Sequence, residues 1–194
     1  SLKRVMIVRV GLLYIDDFFK EDEIEHMNNL LNIEGVEFKV FNKGQQLTAS
    51  VDELFPAIAI AMDFLKSNGF FVSLGASAAW DGLKSTVKYV TLKLEGQKFY
   101  KVTSKNIVEK ESVLSIVTNI NGNKMHFKLD GLRSSEEIDS ALDKILPVIE
   151  KQLSEKEKNQ IYVANFDKEL HEWTTKNFLE EVRKLSGKKV EKGV

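Results

Sequence analysis

The chain has 194 residues, 43% of them hydrophobic and 29% charged, with a formal net charge of -1. That balance belongs to a folded globular protein, and it removes any global electrostatic argument for nucleic acid or an anionic membrane surface. With no cysteine, disulfides, thiolate metal sites and cysteine nucleophiles are excluded, and a reducing compartment, the cytoplasm, is the expected location.

Residues 3–10 read as a first strand, and their charges Lys3, Arg4 and Arg9 argue against a signal peptide. Residues 21–32 read as a helix with Ile24, Met27 and Leu31 on one side. Val36, Phe38 and Val40 then alternate with Glu37 and Lys39, which predicts a strand over 36–41 and so a βαβ unit. Ser50 and Glu53 have capping-box spacing, and 54–65 is almost entirely apolar; together they predict a buried helix over 51–67, ended at Asn68-Gly69.

A second helix is expected over 71–94. Its seam is Trp80, Leu83, Val87, Val90 and Leu94, spaced three, four, three and four apart. The two helices would form a buried helical hairpin. The period then becomes alternating, with strands at 99–103, 113–120 and 125–130. Asn121-Gly122 supplies a two-residue turn that pairs Ile120 with Asn123, Thr118 with Met125, Ile116 with Phe127 and Leu114 with Leu129.

Ser134 and Glu137 form another capping box, opening a helix whose stripe is Ile138, Leu142, Ile145, Ile149 and Leu153, kinked by Pro147. Residues 160–165 are a possible short strand. Asp167 is expected to cap a last helix, with Leu170, Trp173, Leu179, Val182 and Leu185 inward and Gly187 at its end. The fold class is therefore mixed α/β (α+β): a βαβ unit, a buried helical hairpin, an antiparallel hairpin sheet and two C-terminal helices. The whole of 1–194 reads as one domain, with a weak sub-boundary at 95–97.

The candidate sites are few. Asp16, Asp17, Asp22 and His26 lie in an acidic run, and carboxylates with an imidazole could ligate a divalent metal. The plainer reading is a helix start, where acidic side chains favour the positive end of the dipole. From 84 to 128 there are nine lysines, three glutamates and no arginine. Lys98, Lys101, Lys124 and Lys128, interleaved with aromatics, could bind an anion or single-stranded nucleic acid. The missing arginine weakens that reading, because guanidinium groups carry bidentate and stacking contacts.

His126 falls with lysines on the outer hairpin face, and His171 lacks the second histidine of a zincin helix. Trp80 and Trp173 read as core. No cofactor motif is present. No stretch is long enough for a membrane span, which leaves only reversible contact by the apolar hairpin of 54–80. The sequence thus predicts a non-catalytic interaction or regulatory module that self-associates as a homodimer through its apolar helices. The alternatives are a metal-dependent enzyme built on the 16–26 cluster and an anion or nucleic-acid binder built on the lysine-rich region.

Overall fold

Strand β1 (Val8–Tyr14), helix α1 (Glu21–Leu31) and strand β2 (Val36–Asn42) form the expected βαβ unit, with β1 and β2 parallel. The computed structural model describes residues 8–15, 18–42, 44, 58–64, 77–102, 107–120, 122–154, 156 and 158–190. The Ser50–Glu53 capping box, Asn68-Gly69 and residues 3–7 and 71–76 lie outside these.

The next described element corrects the sequence reading. Residues Ile58–Phe64 are a strand, β3, and not part of a helix. β3 lies between β1 (antiparallel) and β6 (Leu114–Ile120, parallel), near the middle of the sheet. A strand in such a place, with strands on both sides and small residues on its second face, reads as a nearly continuous apolar run, which helical and strand patterns share. A period of two was nonetheless present: Ile58, Ile60 and Met62 are large, and Ala59, Ala61 and Asp63 between them are small or polar. The expected helix over 51–67 therefore does not run through 58–64, and of the expected helical hairpin the described residues show only the second half as helix.

That half is α2 (Ala78–Leu94), capped by Ser77, whose hydroxyl accepts from the Trp80 amide at 3.3 Å. All five seam residues are buried. The seam thus faces the protein's own core, and of the other apolar segment the described part, Ile58–Phe64, is strand and offers no helical surface. At 95–97 the chain turns out of α2 into a two-stranded antiparallel sheet, β4 (Lys98–Val102) and β5 (Ile107–Glu111), and rejoins the main sheet at β6. β5 was not anticipated.

β6 and β7 (Asn123–Lys128) form the expected hairpin in the expected register, including Ile116 opposite Phe127 and Ile120 opposite Asn123. Gly122 holds φ +84°, and a Cβ built there meets only Asn159 Oδ1 at 3.9 Å. Space is therefore available, and the constraint is conformational. Gly122→Val should cost about 1–3 kcal/mol, because a β-branched residue resists positive φ. An unchanged urea midpoint would disprove the account.

Ser134 and Glu137 do form a capping box: the Glu137 amide donates to Ser134 Oγ at 3.1 Å, and the Ser134 amide to Glu137 Oε2 at 3.3 Å. The helix is broken into α3 (Ser135–Asp143) and α4 (Ile145–Leu153). Pro147 falls in the first turn of α4, where its missing N–H is tolerated, so the break comes at Lys144 and not at the proline.

The C-terminal helix begins later than expected. Residues 161–177 form a hairpin, β8 (Ile161–Asp167) and β9 (Glu172–Asn177), followed by α5 (Phe178–Val190). Asp167 caps the intervening turn: its Oδ1 accepts from the amides of Glu169 (2.9 Å) and Leu170 (3.0 Å). The same side-chain chemistry serves a turn as readily as a helix start. Leu170 is exposed, Trp173 is buried from β9, and α5 runs through Gly187.

The seven-stranded sheet has the order β2-β1-β3-β6-β7-β8-β9. Helices α1 to α4 cover one face, on which Val10, Leu12, Ile60, Ile116 and Phe127 meet Met27, Val87 and Ile138 in one core. Lys88 with Asp139 and Lys84 with Asp143 tie α2 to α3 on that side. β1 and β7 run the same way, yet the β1–β2 and β7–β8 crossovers move toward opposite edges with their helices on the same face. They are therefore of opposite hand, and one departs from the right-handed rule. No described helix is long and apolar enough to cross a membrane.

Candidate functional site

The second face of the sheet carries the alternate residues of every strand, and pairing aligns them in rows. One row runs Glu37, Arg9, Asp63. The next runs Lys39, Gly11, Ala61, Val117, His126, Val163. A third begins Phe41, Leu13, Ala59, Ser115, Lys128. The second row is small at its centre, and this produces a shallow groove of about 430 Å³ across β2, β1, β3, β6 and β7.

Gly11, Ala61 and Val117 form the floor. Phe41 forms a wall and is 51% exposed. A Cβ on Gly11 would lie 3.2 Å from Phe41 Cε2, so the glycine lets the ring lie close over the sheet. At the rim, Arg9 Nε donates to Glu37 Oε2 at 3.0 Å with both side chains at least half exposed, so this pair contributes at most about 1 kcal/mol. Lys39, Asp63, Asn119 and Lys124 also stand at the rim.

His126 lies in the same row as the floor and is only 4% exposed, more deeply buried than the sequence suggests. Its Nδ1 has no hydrogen-bond partner among the described residues. Burial, helped by Lys124 and Lys128 on the same strand, pushes its pKa down to about 4. The folded value thus lies below the ordinary one near 6.5, and the unfolded chain takes up the proton first. Stability is complete above about pH 6.5 and falls as the pH drops toward 4, by about 3 kcal/mol in all. Urea midpoints at pH 7 and pH 4.5 should differ less in His126→Leu than in the native chain. Equal differences would disprove this.

The residues singled out from the sequence are not gathered in this groove. Asp16 and Asp17 lie outside the described residues. Asp22 and His26 are exposed on the first turns of α1, and the His26 ring packs against Tyr89 of α2 at 4.8 Å. Their neighbour Glu23 is the engaged member of the cluster. It accepts from the Lys20 amide at 2.9 Å and the Tyr89 hydroxyl at 3.4 Å, and it pairs with Lys93. Burial works to raise the Glu23 pKa, but the amide and the ammonium outweigh it and the value falls below the usual range. Burial and the Glu23 charge raise the Tyr89 pKa. Lys93 Nζ also stands 5.6 Å from the Phe18 ring and 5.5 Å from that of Phe19. Glu23, Tyr89 and Lys93 therefore clamp α1 to α2. Among the described residues no group of three His, Asp or Glu side chains could hold a metal ion.

The lysines are also dispersed. Lys98 and Lys101 lie on β4, in the small sheet, whereas Lys124 and Lys128 lie on β7, in the large one. Lys98 pairs with Glu109, and Lys84, Lys88 and Lys93 are each paired with an acid. Of these lysines, Lys124 is found in the groove lining among the described residues. Sequence reasoning missed Arg9, Gly11, Phe41 and Ala61. Phe41 did leave a signal, as an aromatic residue in step with Glu37 and Lys39 on the polar side of its strand.

These features define a mixed α/β protein with one helix-covered sheet face and a grooved second face. Comparison with family models, curated proteins and solved structures gave no match.

Proposed function

We propose that this chain is a non-catalytic interaction module that binds its ligand in the groove on the second face of the sheet. The observation that carries this reading is the row Gly11–Ala61–Val117, small side chains that open a trough beside the half-exposed Phe41. Its volume falls within the range of about 300–1,000 Å³ usual for ligand sites. With Arg9 paired to Glu37, Lys39 and Lys124 are the rim cations not paired there with an acid, and the apolar floor beside them suits a ligand that is apolar in its body and anionic at one end. The described residues lining it include no histidine, serine or cysteine, and its charged groups stand at the rim, where Arg9 and Glu37 satisfy one another. That supports binding over catalysis. The cysteine-free composition supports a reducing compartment such as the cytoplasm.

The probe is 1-anilinonaphthalene-8-sulfonate, which combines an apolar body with one sulfonate. Saturable fluorescence enhancement is expected with the native chain. Ala61→Trp fills the trough, and Phe41→Ala removes its wall. Each should weaken the dye at least tenfold without changing the circular dichroism spectrum. Native affinity in both variants would overturn the assignment.

A further inference from the structure

We propose that β2 is a self-complementary sheet edge, and that its partner is β2 of a second copy of this chain, paired antiparallel about a twofold axis at Phe38. The inference keeps the interaction-module reading but uses a different surface, the edge in place of the groove.

β2 has a strand on one side only among the described residues. The Val8 amide donates to the Gly35 carbonyl at 2.7 Å, and Val8 is in register with Val36. In a parallel ladder this sets the parity: Glu37 and Lys39 turn their backbone groups toward β1, and Phe38 and Val40 turn theirs outward. Among the described residues the outward groups of Phe38 meet no further strand at the centre of the edge, and such an edge is a template for another strand.

The side chains choose the partner. Placing the twofold at Phe38 sets Val36 opposite Val40 of the partner subunit and Phe38 opposite its own copy. These residues are half-buried on the helix-covered side, so the pairing would extend the core. On the other face Glu37 falls opposite Lys39 of the partner subunit, and Lys39 opposite the partner subunit's Glu37. These are positions without a hydrogen-bonded pair between them, where side chains approach most closely. Arg9 already flanks Glu37 and Gly11 flanks Lys39. Each row therefore alternates in sign across the seam, with no like charges adjacent.

Backbone parity allows the partner to slide only by two residues. One step places Glu37 against Glu37, and a step the other way places Lys39 against Lys39. Like charges directly opposite are destabilising, so the charge pattern disfavours both neighbouring registers, and larger slides lose the two Glu37–Lys39 pairs.

Light scattering on the full chain at about 10–500 μM tests this, and the reading is mass, which dye binding in the groove does not report. The native chain should show twice its chain mass as concentration rises. Glu37→Lys and Lys39→Glu each place like charges across the seam and should remain at the single mass. An equimolar mixture of the two variants restores opposite charges at every position, and the doubled mass should return. A native chain that stays at single mass throughout would overturn the proposal. So would variants that still dimerise, as they would through the opposite edge β9, where Glu172 and Lys176 also lie. So would a mixture that fails to pair.

Circular dichroism checks that both variants fold. If either does not, the absence of native cysteine provides a second route. Glu37→Cys and Lys39→Cys mixed under mild oxidation should form a disulfide-linked heterodimer faster than either forms a homodimer. Equal rates would reject the register.

Discussion

Trp173→Ala is expected to lower stability by about 3–5 kcal/mol, the usual cost of emptying a large aromatic site. The indole is 9% exposed and packs edge-on against Phe127 at 5.1 Å and Phe166 at 5.3 Å. Its Nε1 donates to the Ala141 carbonyl at 2.8 Å, joining β9 to α3. Trp173→Phe keeps much of the packing and loses the hydrogen bond. The Lys144 amide also donates to that carbonyl, at 3.2 Å, so it is not left unsatisfied and the loss should be nearer 1 kcal/mol. Leu170→Ala provides the contrast. On a single helix with Trp173 it would be a core truncation, but in the observed hairpin Leu170 is 70% exposed, and the change should stay within about 0.5 kcal/mol. Urea titrations with unchanged slope decide between the two placements. A large loss at Leu170 and a small one at Trp173 would reject the β8–β9 hairpin.

Gly82→Ala should destabilise the chain even though alanine is the better helix former. Two effects oppose. Propensity favours alanine by about 1 kcal/mol within a helix. Against it, a Cβ at Gly82 would lie 2.7 Å from the Leu30 carbonyl oxygen and 2.7 Å from Ile33 Cδ1. The side-chain atom can move, but the backbone carbonyl moves only if α1 shifts away from α2. Overpacking of this kind costs about 1–3 kcal/mol, so the clash should win. At about 2–4 °C per kcal/mol for a chain of this size, Tm should fall by several degrees. Ser85→Ala lies one turn further along the same helix, and its hydroxyl bonds only to the Asp81 carbonyl within that helix. There propensity acts alone, and Tm should hold or rise slightly. A rise at Gly82 equal to that at Ser85 would show that α1 and α2 are not in close contact.

The glycine also shows the limit of what was legible. Its presence in a heptad helix suggested close helix contact, and the contact exists. Which helix it meets could not be read, because the described part of the expected partner, 58–64, is a strand, and the neighbour is α1. The groove was hidden for a similar reason. Gly11, Ala61 and Phe41 are fifty positions apart along the chain at their extremes, and only sheet pairing places them in adjacent rows. His126 was placed correctly beside Lys124 and Lys128, but its burial depends on what covers that part of the sheet, which the hairpin pattern does not specify.

The sequence by itself determined those elements whose signal is local. The βαβ unit follows from the alternation of Val36, Phe38 and Val40 and from the α1 stripe. The β6–β7 register follows from Gly122 and a one-sided apolar pattern, since a slip of one residue would turn every side chain to the wrong face. The Ser134 capping box follows from hydrogen bonds across three residues. Tertiary structure decided the rest. An apolar run such as Ile58–Phe64 satisfies its backbone equally well in a helix or in a sheet flanked on both sides, and neighbouring strands settle which. Asp167 and Trp173 fit either a capped helix or a capped turn and strand, and the aromatic pocket formed by Phe127 and Phe166 selects the strand. The β2 edge, which no other described strand pairs, belongs to both levels: its charge order is written in five residues, but only the sheet order places that strand at an edge.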